Sequence, residues 1–505
     1  MIRKFLERIG LIRKQSWAEK HFLAVLIVSV AVFMAISLLV GLQQSVWFDE
    51  AYSILLAKQP VDQLIHLTAV DTHPPFYYLL LKGWAALFGW SELALRSLSV
   101  FAAGGAVAIG ALLVRRMFGA RAALAVLPFV AIAPFLIRYG FEIRMYALAS
   151  LIGITATYAL VRALETKDSR RQWRLYMLYA ALVTLGMLTL YYTAVLWIAH
   201  VVWLVWLARS KKQPVMKQRW WLAYIGSALL FVPWLPTFVG QLSNGALAPI
   251  SQALTVDNLV GIVSFAFVYQ PSWQLTAFMS LVVVFVVAAL VYFTTKAFQS
   301  ASPKQKPYLL LLALYLAVPV AVVALISLAR PMYVERYLAH VLIGGYLFVG
   351  VAVWFAVGKA SMKCRVAAGA LVAVLLVGVM QVAQVGNYNF QRLQKPEVKE
   401  AALALESCRD DKTILAADPY VAIELMYYMP SCDVNFYSQD PILRGGYAPL
   451  SESPLQVKNP EEELKTSHEI LYVFYGEPTL KMPTGMKGAP VKDFGDLHVA
   501  TFSAE

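Results

Sequence analysis

Charge is scarce in this sequence: of 505 residues only 14% are Asp, Glu, Lys or Arg, while 60% are hydrophobic. That balance excludes an ordinary soluble globular protein and calls for many membrane-spanning helices. Cysteine is nearly absent as well. The chain has 3 cysteines, none in a metal-type Cys/His spacing, which excludes a thiolate zinc module. No small-residue cleavage site follows the basic N-terminal segment and its long apolar run, so no cleavable signal peptide is expected. An internal repeat of the inverted-repeat transporter kind is also missing.

The formal net charge is nevertheless +13. The cations do not form a nucleic-acid-binding patch, and no nucleic-acid partner is expected. They sit in short clusters between apolar runs, the distribution by which membrane proteins set their topology. The first apolar run, 21–42, is long enough to cross a bilayer. Arg3, Lys4, Arg8, Arg13, Lys14 and Lys20 precede it and put the N-terminal segment, 1–20, in the cytoplasm. The next apolar stretch, 76–90, is short and contains Lys82, whereas the longer run 93–114 ends in Arg115, Arg116 and Arg121. Those arginines face the cytoplasm only if 93–114 is the second span and 76–90 is an interfacial or re-entrant helix. With that parity, the runs near 122–137, 145–164, 175–207 (a hairpin turning outside at Tyr191-Tyr192), 220–240, 273–295, 308–328, 338–357 and 367–386 keep every basic cluster on one side. The expected fold is a polytopic α-helical membrane protein with about 11 spans over 21–386. Interfacial helices fill a first outer loop, 43–92, and a second long outer loop covers 241–272. Trp84, Tyr139, Tyr191 and Tyr192, at the ends of these runs, read as an aromatic belt.

Residues 387–505 have a different character, charged with short apolar runs. Thr413–Ala417 and Glu469–Tyr475 read as buried strands, and 397–407 and 421–429 as helices. The expectation is a small α/β extracytoplasmic domain. Cys408 and Cys432 both fall in it, either as a disulfide or as two thiols, and Cys364 is expected on the cytoplasmic side.

This topology gathers polar residues at the outer membrane face. Asp49-Glu50 follow the first span, and Asp71-Thr72-His73-Pro74-Pro75 precede the interfacial helix. Arg138, Glu142 and Arg144 lie between spans three and four, and Glu335-Arg336 between spans nine and ten. Ionisable groups beside the apolar slab need a partner or a function. A carboxylate can take a proton from a hydroxyl or hold a divalent cation, while guanidinium and imidazole groups can bind phosphate oxygens. Such a set suits transfer of a group from a lipid phosphate. Simpler readings stand beside this one. Asp49-Glu50 can cap the helix that follows, Pro74-Pro75 can merely start one, and Arg144 and Arg336 can snorkel or pair with Glu142 and Glu335.

The string Trp47-Phe48-Asp49-Glu50-Ala51-Tyr52, followed by His73-Pro74-Pro75-Phe76-Tyr77-Tyr78-Leu79-Leu80-Leu81, resembles the bacterial branch of glycosyltransferase family 39. So do Ser91-Glu92 through Arg96, the stretch Arg138 to Leu148, and Glu335-Arg336-Tyr337-Leu338. That family includes protein O-mannosyltransferases and lipid A aminoarabinose transferases and has the GT-C architecture. The resemblance is strongest over about residues 40–165. It implies a polyprenyl-phosphate sugar donor, inversion at the anomeric carbon, and Asp49 as the catalytic general base. It further implies Glu50 as a second catalytic residue that orients the acceptor, or as a metal ligand with Asp49 if Mg or Mn is used. Donor-phosphate contacts fall to His73, Arg144, Arg336 and Arg138, with Tyr146, Glu142, Glu335 and Tyr337 in support. Where the aminoarabinose-transferase branch has Lys-Pro-Pro, this chain has His73-Pro74-Pro75. That departure leaves two roles for His73, phosphate contact or loop shaping.

The leading expectation is therefore a bacterial inner-membrane glycosyltransferase of hexosyl or mannosyl type. Its acceptor would be a hydroxyl on a glycan, lipid or protein outside the cytoplasm. Competing readings are a lipid or glycolipid transporter and a glycan polymerase or ligase with a diphosphate-linked donor.

Overall fold

The computed structural model describes residues 16–214, 219–243, 255–270, 275–358, 362–385, 397–405 and 412–504. The basic cluster before residue 16, Lys217, Lys359, Cys408 and parts of the 241–272 loop lie outside the described residues. Helix α1 (Trp17–Leu42) is followed by three short helices, α2 (Phe48–Lys58), α3 (Val61–Val70) and α4 (Phe76–Phe88). Then come α5 (Glu92–Phe118), α6 (Ala120–Ala131), α7 (Pro134–Phe141), α8 (Tyr146–Glu165), α9 (Ser169–Thr189) and α10 (Thr193–Ser210). α11 (Trp220–Phe231) continues through a 3-10 turn into α12 (Leu235–Ser243), and α13 (Val256–Phe267) lies within the second outer loop. α14 (Ala277–Ser300), α15 (Lys306–Ser327), a 3-10 turn at Glu335–Leu338, α16 (Ala339–Val357) and α17 (Met362–Val385) complete the membrane domain.

Among the described residues, nine helices are long and apolar enough to cross a membrane. The pair α6–α7, bent by 64°, makes a tenth if it counts as one span. α9 occupies the remaining one of the eleven expected places, but its start, Ser169-Arg170-Arg171-Gln172-Trp173-Arg174, is too polar for it to pass by composition. α4 has 13 residues, about 20 Å of helix against a hydrocarbon core of about 30 Å, so it does not span. Lys82 is not buried unpaired: its ammonium donates to the carbonyls of Ala57 (3.2 Å) and Gln59 (2.8 Å) at the end of α2. Parity is visible in ion pairs at the opposite face. Glu19 at the start of α1 meets Arg115 at the end of α5 (2.8 Å), and Glu165 at the end of α8 meets Arg116 (2.5 Å). Tyr308 near the start of α15 donates to the same Glu165 at 2.7 Å.

The aromatic-belt reading fails for two of its members. Tyr191 and Tyr192 are buried and hydrogen-bonded inside the protein, to Gln241 Oε1 and the Met332 carbonyl respectively. A phenol that finds an internal acceptor has no need of the headgroup layer.

The soluble domain comprises α18 (Val398–Ala404), β1 (Lys412–Ala416), α19 (Pro419–Tyr428), β2 (Val434–Tyr437), a 3-10 turn at Gly445–Leu450, β3 (Gln456–Val457), α20 (Pro460–Glu463), β4 (Glu469–Tyr475), β5 (Met486–Gly488), β6 (Lys492–Phe494) and β7 (Leu497–Ala504). Strand order is β3-β2-β1-β4-β7-β5, with β6 also on β7. β3, β2, β1 and β4 are parallel, and β7 runs antiparallel to β4. Side chains alternate as strands require. Ile414, Ala416, Leu471 and Val473 join the core that continues into the membrane helices, while Leu415, Ile470, Tyr472 and Phe474 form a separate cluster on the other face. Cys432 is disulfide-bonded, and Cys364 Sγ lies 3.0 Å from the Tyr292 hydroxyl.

Candidate active site

The site is built around the first turn of α2. Trp47 is the N-cap and gives no side-chain cap, and Asp49 and Glu50, in the first turn, both reach partners outside the helix. The two carboxylates diverge. Asp49 Oδ2 lies 3.5 Å from Arg336 Nη2 and 3.9 Å from Arg144 Nε. Glu50 turns into the protein and is 1% exposed. One of its oxygens accepts from Arg96 Nη2 at 3.1 Å and the other from the Ile143 backbone N–H at 2.9 Å.

Arg96 is fully buried and donates to the Gly41 carbonyl, to the Gln44 carbonyl at 2.9 Å and to Glu50. It therefore ties the C-terminal end of α1 to α2. This corrects the reading of Glu50 as an acceptor-orienting or metal-binding residue: both its oxygens are engaged in holding α1, α2 and the turn after α7 together. The metal expectation meets the same obstacle. Asp49 faces two guanidiniums rather than further oxygen donors, and among the described residues no group of three or more His, Cys, Asp or Glu gathers. A hard divalent cation wants several oxygen ligands, and these residues do not fit one.

Arg144 is the hub. It sits in the short turn between α7 and α8, where its Nη1 donates to Tyr78 Oη (3.1 Å), Ser53 Oγ (3.3 Å) and the Asp49 carbonyl (3.4 Å). Arg336 arrives from the turn before α16, its guanidinium 5.9 Å from the ring centres of both Trp47 and Tyr337. His73 Nε2 lies 3.3 Å from Tyr337 Oη. Burial, with Arg144 and Arg336 nearby, holds the His73 ring well below its ordinary pKa, so it is neutral and offers a hydrogen bond rather than a third positive charge. His73 thus differs in kind from a lysine at that place. Tyr146 stands 6.4 Å from Tyr337, ring to ring, and within electrostatic reach of Arg336, Arg144 and Asp49.

Asp49, His73, Arg144, Arg336, Tyr146 and Tyr337 therefore converge. Arg138, Glu142 and Glu335 do not join them in the same way. Arg138 Nη1 binds Glu142 Oε2 at 3.0 Å, an i,i+4 pair buried under Tyr139 and Phe141. Its guanidinium is committed there, which corrects its reading as a phosphate ligand. Burial raises the Glu142 carboxyl to about 7, with Arg138 opposing and Glu50 and Asp49 adding to the rise. Glu335 lines a small apolar cavity with Phe135, Ile262, Leu316 and Tyr333.

Three contributors escaped the sequence reading. Tyr78 holds Arg144, Arg96 holds Glu50, and Asp71 interacts with the Tyr52 hydroxyl. Burial raises the Asp71 carboxyl above the usual range, against its Thr72 backbone contact, Arg144 and Tyr52. Asp71 and Arg96 stood in flagged strings, but nothing in sequence spacing says which side chains meet across different helices.

Among the buried polar atoms with no hydrogen-bond partner in the described residues, Trp47 Nε1 and Tyr146 Oη stand beside this centre. An unmade bond costs roughly 1–3 kcal/mol.

A bundle of membrane helices, three short helices after the first of them, and a small sheet domain following the bundle make a fold that solved structures share. Residues 72–236 match the family described as dolichyl-phosphate-mannose-protein mannosyltransferase. The fold is similar to that of ArnT from Cupriavidus metallidurans, with TM-score 0.61, 13% identity, and coverage of 96% of this chain and 98% of that one. It is also similar to the same protein bound to undecaprenyl phosphate, with TM-score 0.58, 13% identity, and coverage of 94% and 97%. The chain matches no curated protein sequence significantly.

Proposed function

We propose that this protein transfers a sugar, a hexose such as mannose, from a polyprenyl-phosphate carrier to a hydroxyl on the outer side of a bacterial inner membrane. The N-terminus would be cytoplasmic and the sheet domain outside. The observation that carries the reading is the convergence of Asp49 with Arg144 and Arg336, with Trp47, Tyr146 and Tyr337 around them. The family match over 72–236 and the undecaprenyl phosphate bound by ArnT support a lipid-monophosphate donor.

In this reaction the acceptor oxygen attacks the anomeric carbon from the face opposite the phosphate. The new C–O bond forms as the bond to the phosphate oxygen breaks, with inversion. Asp49 takes the acceptor proton. Polyprenyl phosphate departs, and Arg144 and Arg336 hold the charge that grows on it. Those guanidiniums have Asp49 as counter-ion. An incoming phosphate replaces it in that role and frees the carboxylate for the acceptor hydroxyl. Neutral His73 and Tyr337 offer hydrogen bonds to the same phosphate. No step runs through a divalent cation, and turnover undiminished by a chelator is expected. The acceptor is a glycan, lipid or protein carrying a free hydroxyl.

The test is purified protein in liposomes with a panel of polyprenyl-phosphate sugars, read by glycosyl transfer and release of polyprenyl phosphate. Turnover with at least one monophosphate donor is expected. Turnover with a diphosphate-linked donor alone, or with none of them, overturns the proposal.

A further inference from the structure

The first turn of α2 must be held firmly if Asp49 is to face an acceptor hydroxyl. Its opening N–H groups have no intrahelical partners, and the N-cap residue Trp47 supplies none from its side chain. The Phe48 N–H is nevertheless satisfied, by a residue 376 positions away. Glu424 Oε1, in the soluble domain, accepts it at 2.9 Å.

Glu424 is 1% exposed, and its second oxygen accepts from the Tyr475 hydroxyl at 2.7 Å. A buried carboxylate is retained only where such bonds hold it. Here its charge also sits at the positive end of a helix, where it is favourable. Glu424 is one of three residues on one face of α19. Tyr420, one turn before, stacks on the Phe48 ring at 4.4 Å and 8°. Tyr428, one turn after, accepts from the Val46 N–H at 2.6 Å. Positions 420, 424 and 428 repeat every four residues, so they form one stripe. That stripe grips the strip Val46-Trp47-Phe48, immediately before Asp49. α19 is itself well defined at its start, where Asp418 caps it through the Val421 N–H at 2.9 Å and Pro419 opens it. Across the strip, Gly446 makes room: a Cβ there would sit 3.2 Å from the Phe48 ring.

We propose that Glu424 is a positioning residue for the transfer reaction: with Tyr420 and Tyr428 it lets the soluble domain cap, across the domain boundary, the helix that carries Asp49. The inference rests on the proposed role of Asp49. It makes the soluble domain a wall of the active site rather than an appendage. Arg96 and Ile143 fix the same turn from the membrane side through Glu50. Glu424 fixes it from outside.

The experiment compares Glu424→Ala, Glu424→Gln and wild type on purified full-length protein, normalised to the correctly folded fraction. The alanine removes the acceptor of the Phe48 N–H, whereas glutamine keeps an acceptor oxygen. Misplacement of a catalytic group by a distant change can cost up to about a hundredfold. Glu424→Ala is expected to lower kcat at least roughly tenfold with donor affinity unchanged, and Glu424→Gln to restore most of it. An alanine variant with wild-type kcat overturns the proposal. So does donor affinity that falls in step with kcat, or glutamine as impaired as alanine. Hydrogen exchange over residues 44–52 needs no substrate and is read in parallel. Faster exchange there in Glu424→Ala is expected, and unchanged exchange overturns the capping role even if no donor is turned over. Should Glu424→Ala not accumulate, Tyr428→Phe removes the acceptor of the Val46 N–H while keeping the ring. The same exchange and kcat tests then decide.

Discussion

The two faces of the membrane domain carry the same kinds of charge in opposite settings. On the face where α1 starts, Arg115 and Arg116 are 40% and 48% exposed and pair with Glu19 and Glu165 near water. On the outer face Arg96, Arg138 and Arg144 are 0%, 2% and 4% exposed. Exposed pairs stabilise by about 1 kcal/mol at most, whereas a guanidinium taken out of water must be matched by several partners. Arg96 and Arg138 have theirs in Glu50 and Glu142. Arg144 and Arg336 share one carboxylate, Asp49, at 3.9 and 3.5 Å. The difference separates charges at the surface from charges paired one to one inside the protein, and both from two guanidiniums that share a single carboxylate.

This comparison breaks most sharply at Asp49. Asp49→Asn keeps shape and loses the base, so transfer should fall by about 10²–10⁴ with donor binding retained; full turnover would remove Asp49 from that role. Next come the two guanidiniums that share Asp49. Arg336→Ala or Arg144→Ala should cost roughly 10²–10³ in turnover and weaken binding of the lipid phosphate, measured by titration of the purified protein. Glu50→Ala should act on folding, because it strands Arg96. A loss of about 3–5 kcal/mol is expected, read as a fall in thermal midpoint in detergent. A Glu50→Ala protein with normal stability and no activity would return Glu50 to the chemistry.

The Arg138–Glu142 pair gives a smaller, pH-dependent effect. The Glu142 carboxyl is raised from 4.5 to about 7 by burial. The folded protein therefore keeps a proton that the unfolded chain releases, so this contribution to stability is present below about pH 4.5 and lost as pH rises through about 7. Glu142→Gln should flatten the thermal midpoint across that window, and an unchanged slope would assign it to another group. The smallest effect belongs to the face opposite the site. Arg115→Ala should change stability by no more than about 1 kcal/mol and leave turnover alone.

Much of this was legible from residue order. Basic clusters and run lengths were enough to assign 76–90 to the interface, because a short apolar helix bearing Lys82 cannot satisfy both bilayer thickness and charge parity. The strands at 412–416 and 469–475 announced themselves by short β-rich apolar runs. α9 has a polar first turn, yet its apolar run was enough to read it as the first arm of the 175–207 hairpin, and it packs with α8 and α11. At the site, topology gathered Asp49, His73, Arg144 and Arg336 at one face, while the family resemblance implied roles for Glu50 and Arg138 that their buried ion pairs leave little room for. Adjacent residues in a helical first turn point about 100° apart. Which one meets Arg96 and which one meets Arg336 depends on elements that lie apart in the chain, α5 and the turn before α16.

The sequence by itself determined that this protein crosses a membrane many times, which face holds its polar clusters, and that a sheet domain follows. Those properties come from local composition and periodicity, summed along the chain. Which charges pair one to one and which share a partner is a property of the packed helices alone. Only the tertiary structure revealed that α19, near the end of the chain, caps the helix near its beginning. Pairing energies depend on distances of a few ångströms between side chains, and those distances exist only once the helices have packed.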